Sequence, residues 1–409
     1  MTTAVATRVP FLRSPWAVPA VVTAAVAGAF FAQPLLASAV DGELPAVTPE
    51  QLLTQVLESE PVPMSGTVVH TARLGLPELP INETSGADPL SLLGGSSTLR
   101  LWTDGADRSR VALLGMASEY SVVTDGAEAW TYSSSDDEVV HYALRAADQA
   151  RLDALRAAGG DGALPGTRDL PTPDEAARSV LTKADESSTV TLGDQVTVAG
   201  RDAYQLVVTP DTGGTLVDRV VVAIDGKTMV PLRVQAWSTQ DEAAPALEIG
   251  FTDISFATPA DSVLAFAAPA GAAVREVLVP LPTASDLLAG DGTTPPADAK
   301  DHVTVSGTGW ETVVEGKFDV AALVAGDPSA LAGVTPEKII GSDGAQDLVK
   351  EFVPDHDGFS LDSLALYEQL TTEVPEGRLL SSTLLSILVT DDGRVLVGAV
   401  PAETLRAMA

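Results

Sequence analysis

Four histidines, a large surplus of carboxylates and no cysteine are the polar chemistry this chain offers. His70, His141, His302 and His356 lie far apart, and none falls in His-Glu-x-x-His or another zinc-ligand spacing. Without cysteine there is no thiolate nucleophile, zinc–cysteine site, disulfide or cysteine-linked lipid anchor. No Gly-x-Ser-x-Gly elbow, Walker loop or Gly-x-Gly-x-x-Gly follows a strand pattern. Asp355-His356-Asp357-Gly358 begins like a cation loop but lacks the later oxygen ligands of an EF-hand, so a solvated turn is expected. Among 56 acidic residues, carboxylate pairs of glycosidase type arise by chance. The expectation is a protein that is not an enzyme, with no catalytic residue, metal or cofactor.

The pattern that does recur is one of burial. Leu99 and Leu101 alternate with Arg100 and Trp102, and Val111 and Leu113 alternate with Arg108, Arg110 and Ala112. Further on, Leu206, Val220, Val222, Ile224, Leu232 and Val234 repeat the apolar side. Strands with one apolar and one charged face require a cover on a single side. The candidate helices are few and short beside about ten strands. Two outcomes therefore stand open: a fully packed core, or an apolar cavity that takes a guest. In the second case Leu99, Leu101, Val111, Leu113, Leu206, Val222, Leu232 and Val234 line the cavity. Trp130, Tyr204 and Trp237 would then sit at its mouth, where amphipathic rings suit a half-wet rim.

The elements that must position this face are legible from turn and cap residues. Thr48-Pro49-Glu50-Gln51 is a helix start with a reciprocal capping pair, and Leu52, Leu53, Val56 and Leu57 give it an apolar face to about Ser59. Thr172-Pro173-Asp174-Glu175 repeats that logic with Ala176, Val180 and Leu181, and residues 149–158 are a third helical candidate. Strands are expected at 65–76, 98–103, 108–114, 120–124, 128–133 and 139–142, an antiparallel meander. Three more follow in 198–238, with Asp225-Gly226 as a tight turn between the last two. The connection 77–97 carries Leu90, Leu92 and Leu93, either a gate over the face or a plain crossover. Residues 273–300, rich in Pro, Gly, Thr and Asp toward their end, are expected to link a first domain, 44–272, to a smaller α+β domain, 301–409. That second domain contains a hairpin, 384–400, turning at Asp392-Gly393.

Composition narrows the partners. At 409 residues, 45% apolar and 20% charged, the chain has material for two domains and a large core. A net charge of −32 repels phosphate backbones, which excludes nucleic acid as a partner. Arg8 and Arg13 precede an apolar run, Trp16–Ala32, and Ala37-Ser38-Ala39 fits a small-x-small cleavage site. Residues 1–39 are thus an export signal or a retained signal anchor, and either places the body outside the cytoplasm.

The order of capped helix, meander and capped helix leads into Ala199-Gly200-Arg201-x-Ala203-Tyr204-x-Leu206 with Pro210. Ile224-Asp225-x-x-Thr228-x-x-Pro231-Leu232-Arg233 follows. Over residues 44–270 this pattern resembles the LolA-like superfamily: the periplasmic lipoprotein carriers, the mycobacterial lipid-carrier lipoproteins and the RseB/MucB regulators of sigma-E. Residues 97–115, with Asp125-Gly126 and Trp130, look like its actinobacterial members. The resemblance implies an α+β fold in which a curved antiparallel sheet forms an unclosed β-barrel under a helical lid. It implies a non-enzymatic exported protein holding acyl chains of lipid or lipoprotein, with a lipid exporter as a conceivable partner. The alternative is an envelope-stress regulator that binds a membrane-embedded anti-sigma protein.

Overall fold

The computed structural model describes residues 44–77, 87–144, 148, 170–181, 187–279, 303–317 and 363–409. The export segment, the helical candidate at 149–158 and the 355–358 loop lie outside them. Thirteen of the described strands form one curved sheet that does not close on itself. They are β1 (Met64–Ala72), β2 (Gly95–Thr103), β3 (Arg108–Leu114), β4 (Glu119–Asp125), β5 (Glu128–Ser133) and β6 (Glu138–Leu144), then β7 (Ser188–Leu192), β8 (Val196–Val198), β9 (Arg201–Pro210), β10 (Val217–Asp225), β11 (Pro231–Ser238), β12 (Leu247–Ser255) and β13 (Ala273–Val279). Their order across the sheet is β13-β6-β5-β4-β3-β2-β1-β12-β11-β10-β9-β7, with β8 also on β9. The expected meander and the three-strand run are therefore joined through the β1–β12 pair.

The sheet is mixed rather than wholly antiparallel, because β13 runs parallel to β6. Ala273–Val279 fall in the stretch that composition assigned to the linker, yet they form this edge strand. The parallel pairing needs a crossover, and residues 256–272 make it over the outer face of the sheet. In it α3 (Asp261–Leu264, numbered after the two capped helices below) packs on β2, β3 and β4 with Leu264 fully buried, and Arg108 binds Asp261 at 3.0 Å.

Both capping pairs form. Thr48 Oγ1 accepts from Gln51 N at 3.2 Å and Gln51 Oε1 from Thr48 N at 3.0 Å, starting α1 (Pro49–Glu58). Thr172 and Glu175 exchange the same two bonds at the head of α2 (Pro173–Leu181). Each cap satisfies two backbone donors that an open helix end would leave bare. The first expected apolar face is buried through Leu52, Leu53 and Val56, while Leu57, expected on it, is 38% exposed; the second is buried through Ala177, Val180 and Leu181, with Ala176 half-buried.

The six remaining described strands form the second sheet, ordered β14-β15-β19-β18-β17-β16. They are β14 (Val303–Ser306), β15 (Val313–Lys317), β16 (Thr372–Val374), β17 (Gly377–Ser381), β18 (Ser386–Thr390) and β19 (Arg394–Gly398). Helix α4 (Ser363–Leu370) precedes them in part, and the C-terminal α5 (Ala402–Met408) buries Leu405 against Leu388, Leu396 and Val400. The expected hairpin is β18–β19, with Gly393 at φ 84° in its turn, a conformation that glycine adopts without strain.

The β10–β11 connection differs from the tight Asp225-Gly226 turn that was expected. It is a longer loop, in which Asp225 N bonds Val230 O at 2.9 Å and Met229 takes the left-handed conformation, φ 59°. Asp225 organises it: its buried carboxylate accepts from Thr228 N at 2.7 Å, Thr228 Oγ1 at 2.8 Å and Arg201 Nη2 at 2.9 Å. Arg201 also lies over the Phe256 ring at 4.6 Å. Burial alone would raise the Asp225 pKa, but the Arg201 and Thr228 hydrogen bonds outweigh it and hold the carboxyl below its usual range. A carboxyl depressed in the folded state contributes stability that is present above about pH 4, its unfolded pKa, and is lost as pH falls further. Asp225→Ala leaves Arg201 without its partner and should cost about 3–5 kcal/mol in urea unfolding at pH 7. Asp225→Asn should be destabilised at pH 7 and lose less additional stability than wild type on acidification.

Candidate functional site

Strand register decides which side chains share a face. Leu99 pairs with Val68 and Leu113, Leu101 with Val111, and Val111 with Val122. Beyond β1, Val68 pairs with Phe251, Ile249 with Val234, Val234 with Val222, and Val222 with Leu206. These residues form one apolar surface running from β4 across to β9, here called the inner face. All belong to a single core cluster. The eight aliphatic residues expected to line a cavity lie together on it and are 0–8% exposed.

The three aromatic residues expected at the mouth do not stay together. Tyr204 lies on the inner face opposite Ile224; it is buried rather than half-wet, and its hydroxyl donates to Pro45 O at 2.8 Å. Trp130 pairs with Val123, one position out of phase with Thr131 and Val122, so its ring is on the outer face. There it stacks on His141 at 5.1 Å and on Phe266 of the crossover at 5.5 Å. Trp237 pairs with Arg219 and is likewise outer, its ring beneath the Arg219 guanidinium at 4.3 Å. The period of two was available in the sequence; both tryptophans sit one residue off the apolar phase.

The inner face is covered by short pieces from separate parts of the chain. Helix α1 lies over β7 and β9, and α2 over β11 and β12. A single-turn 3-10 helix, Pro89–Leu93, lies over β1 and β2 and begins where Asp88 Oδ1 accepts from Leu90 N at 2.8 Å. Of the expected gate residues, Leu92 is buried in the core, Leu93 packs against it half-buried, and Leu90 is 40% exposed. The fourth piece, residues 382–385 of the second sheet, was not expected. Leu384 and Leu385 belong to the same core cluster as the inner face.

One ionisable residue that the sequence argument noted only as a histidine stands in this surface. His70 shares the inner face with Val68 and Ala72, pairs with Ser97 and Ile249, and is fully buried. Burial pushes its pKa down to about 2, so the imidazole is neutral at physiological pH. Among the described residues no group of three or more His, Asp or Glu is placed to hold a metal ion. Nor is any described helix long and apolar enough to cross a membrane.

No protein-family model matches the chain, and no curated protein matches it. Solved structures do. The Pseudomonas aeruginosa MucA/MucB complex is similar at 16% identity over 88% of this chain and 96% of that one, with a TM-score of 0.39. A LolA superfamily protein from Nitrosomonas europaea matches at 11% identity over 54% and 99%, TM-score 0.21. An outer membrane lipoprotein-sorting domain from Vibrio parahaemolyticus matches at 12% over 53% and 96%, TM-score 0.21. These fall in the groups that the sequence pattern resembles. Likeness this weak leaves function to the chain's own geometry.

The depressed His70 pKa carries a signed consequence. The unfolded histidine takes up a proton near pH 6.5 and the folded one does not, so stability falls as pH drops below that value. The slope from this group is about 1.4 kcal/mol per pH unit. Urea unfolding between pH 7 and pH 4.5 should show that component in wild type and its disappearance in His70→Gln.

Proposed function

We propose that this protein is an exported, non-enzymatic carrier that holds acyl chains of lipid or lipoprotein against the inner face of its large sheet. The observation that carries the reading is the character of the cover. Among the described residues, a continuous apolar surface spanning eight strands is covered by four small pieces, none longer than the ten residues of α1. In an ordinary core the cover is as continuous as the sheet. Here each piece buries only a few side chains: Leu52, Leu53 and Val56 from α1, and Leu92 from the 3-10 helix.

The magnitudes favour exchange. Burying one large apolar side chain contributes about 1.5–3 kcal/mol, and one acyl methylene about 0.8 kcal/mol. A chain of about a dozen methylenes therefore offsets the three side chains that anchor α1. Lining that is fully buried in the closed form is then the resting state, and binding proceeds by displacement of a lid piece. No catalytic group is needed, because holding hydrocarbon away from water is the whole of the work.

A regulator that binds an anti-sigma protein is the second reading, favoured by a second sheet docked onto the first. Co-purification with the extracytoplasmic part of a single-pass membrane protein, and no lipid, would select it. Mass spectrometry of organic extracts from natively purified protein tests the carrier. The expected result is an acyl lipid in about stoichiometric amount, displaced by added fatty acid. Extracts free of acyl lipid, with no uptake of a fluorescent fatty acid, would refute the carrier.

A further inference from the structure

Among the described residues, the hydrogen bonds between the second unit and the first gather at one end, where the inner face runs out. That end is marked by the last residues of β1, β9 and β11 and the first of β7 and β10. Thr383 is the centre of the joint. Its N–H donates to Leu74 O at 2.9 Å and its hydroxyl to Arg73 O at 3.1 Å, just past β1. Its own carbonyl accepts from Ser238 Oγ at 2.6 Å. Ser238 is the last residue of β11, in phase with the inner-face residues Val234 and Ala236, and it is fully buried.

Around this point lie further ties. Ala399 O accepts from Leu216 N and from Thr215 Oγ1, each at 2.7 Å. Trp310 Nε1 donates to Ser188 Oγ at 2.8 Å at the start of β7. Glu311 Oε1 accepts from Gly214 N at 2.9 Å. The joint thus draws on three separate parts of the second unit. It is polar at its rim and apolar at its tip, where Leu384 and Leu385 are 2% and 6% exposed within the core of the first sheet.

The turn that carries this tip is built to hold a shape. Ser382 Oγ accepts from Leu384 N at 3.3 Å and Leu385 N at 3.0 Å and donates to Leu385 O at 3.0 Å. Ser382 N also bonds Leu385 O at 2.8 Å. A turn closed by its own serine presents two adjacent leucines as a rigid wedge. The second sheet has a separate core of Val313, Leu388, Leu396, Val400 and Leu405, whereas Leu384 and Leu385 belong to the first sheet's cluster, joined there by Ala399 and half-buried Ile387 and Val397.

We infer that the turn 382–385 is an autoinhibitory plug, in which Leu384 and Leu385 occupy the end of the inner face that an acyl chain would fill. The inference rests on the carrier reading and adds its regulation. Lipid and plug compete for one apolar surface, so lipid binding loosens the docking of the second unit, and undocking opens the site. The coupling is reciprocal: each event weakens the other by the same factor. A partner that pulls the second unit away would load or unload the carrier without touching the lipid.

The test uses the full chain as Leu384→Asp/Leu385→Asp, which drives the wedge out of the core, and as the milder Ser382→Ala, which leaves the leucines but frees the turn. Amide hydrogen exchange and parinaric acid uptake are read on both and on wild type. The expected result is faster exchange at the ends of β1 and β11, with β18 and β19 still protected, together with uptake at least about fivefold tighter than wild type. Reciprocally, saturating wild type with parinaric acid should speed exchange at the Leu384 and Leu385 amides. Unchanged uptake by variants whose joint has opened, while wild type binds, would overturn the plug and leave the carrier standing. An opened joint with no uptake by any of the three proteins would overturn both.

Discussion

A sheet with one apolar face cannot stand alone in water, and the architecture of this chain follows from that constraint. The inner face runs through paired residues from Val122 to Leu206, so no single helix of ordinary length can cover it. The chain answers with α1, α2, the Pro89–Leu93 turn and the Leu384–Leu385 wedge, drawn from four distant stretches of sequence. Their local supports differ: two reciprocal caps, one Asp88 cap and one serine-closed turn. What they share is the surface they bury. That shared surface is what the proposed carrier would exchange for hydrocarbon, and it gathers residues of both sheets into one apolar cluster.

The polar residues of the fold do the complementary work of fixing geometry. Asp225 and Arg201 pin the β10–β11 loop to the start of β9, while Tyr204 fastens the segment before α1 through Pro45. Arg108 reaches from the Asp104 turn to Asp261 and holds the crossover against the outer face. Of these only Tyr204 lies on the inner face, with its hydroxyl bonded to Pro45 O. His70 lies there too, and its burial keeps it neutral, so the surface remains uncharged across the physiological range.

Much of this was readable from residues alone. The caps at Thr48 and Thr172 and the strand pattern from Leu99 to Val234 gave the elements. Alternation placed the eight aliphatic residues on one face, because period two is a local property. Apart from the two tryptophans, whose phase is local, the misses were non-local. Trp130 and Trp237 were judged by their chemistry as rim residues, although their phase put them outside. Ala273–Val279 read as linker because a parallel edge strand leaves no hairpin turn to announce it. The β10–β11 loop read as Asp-Gly because the accepting role of Asp225 depends on Arg201, 24 positions earlier. The wedge at 384–385 carried no signal beyond two ordinary leucines, since its meaning lies in what it touches. Whether the covered face opens to a ligand is a question of competing energies, and sequence pattern does not report it.

The account depends on the cover giving way to hydrocarbon. The chain has no cysteine, so spin labels can be introduced at Gln55→Cys on the exposed side of α1 and at Arg100→Cys on the outer side of β2 without background. Pulsed electron–electron distance measurement, without and with saturating fatty acid, reads the lid directly. A distribution that lengthens and broadens on addition of the acyl chain is the predicted result. A single narrow distance, unchanged at saturation, would contradict it.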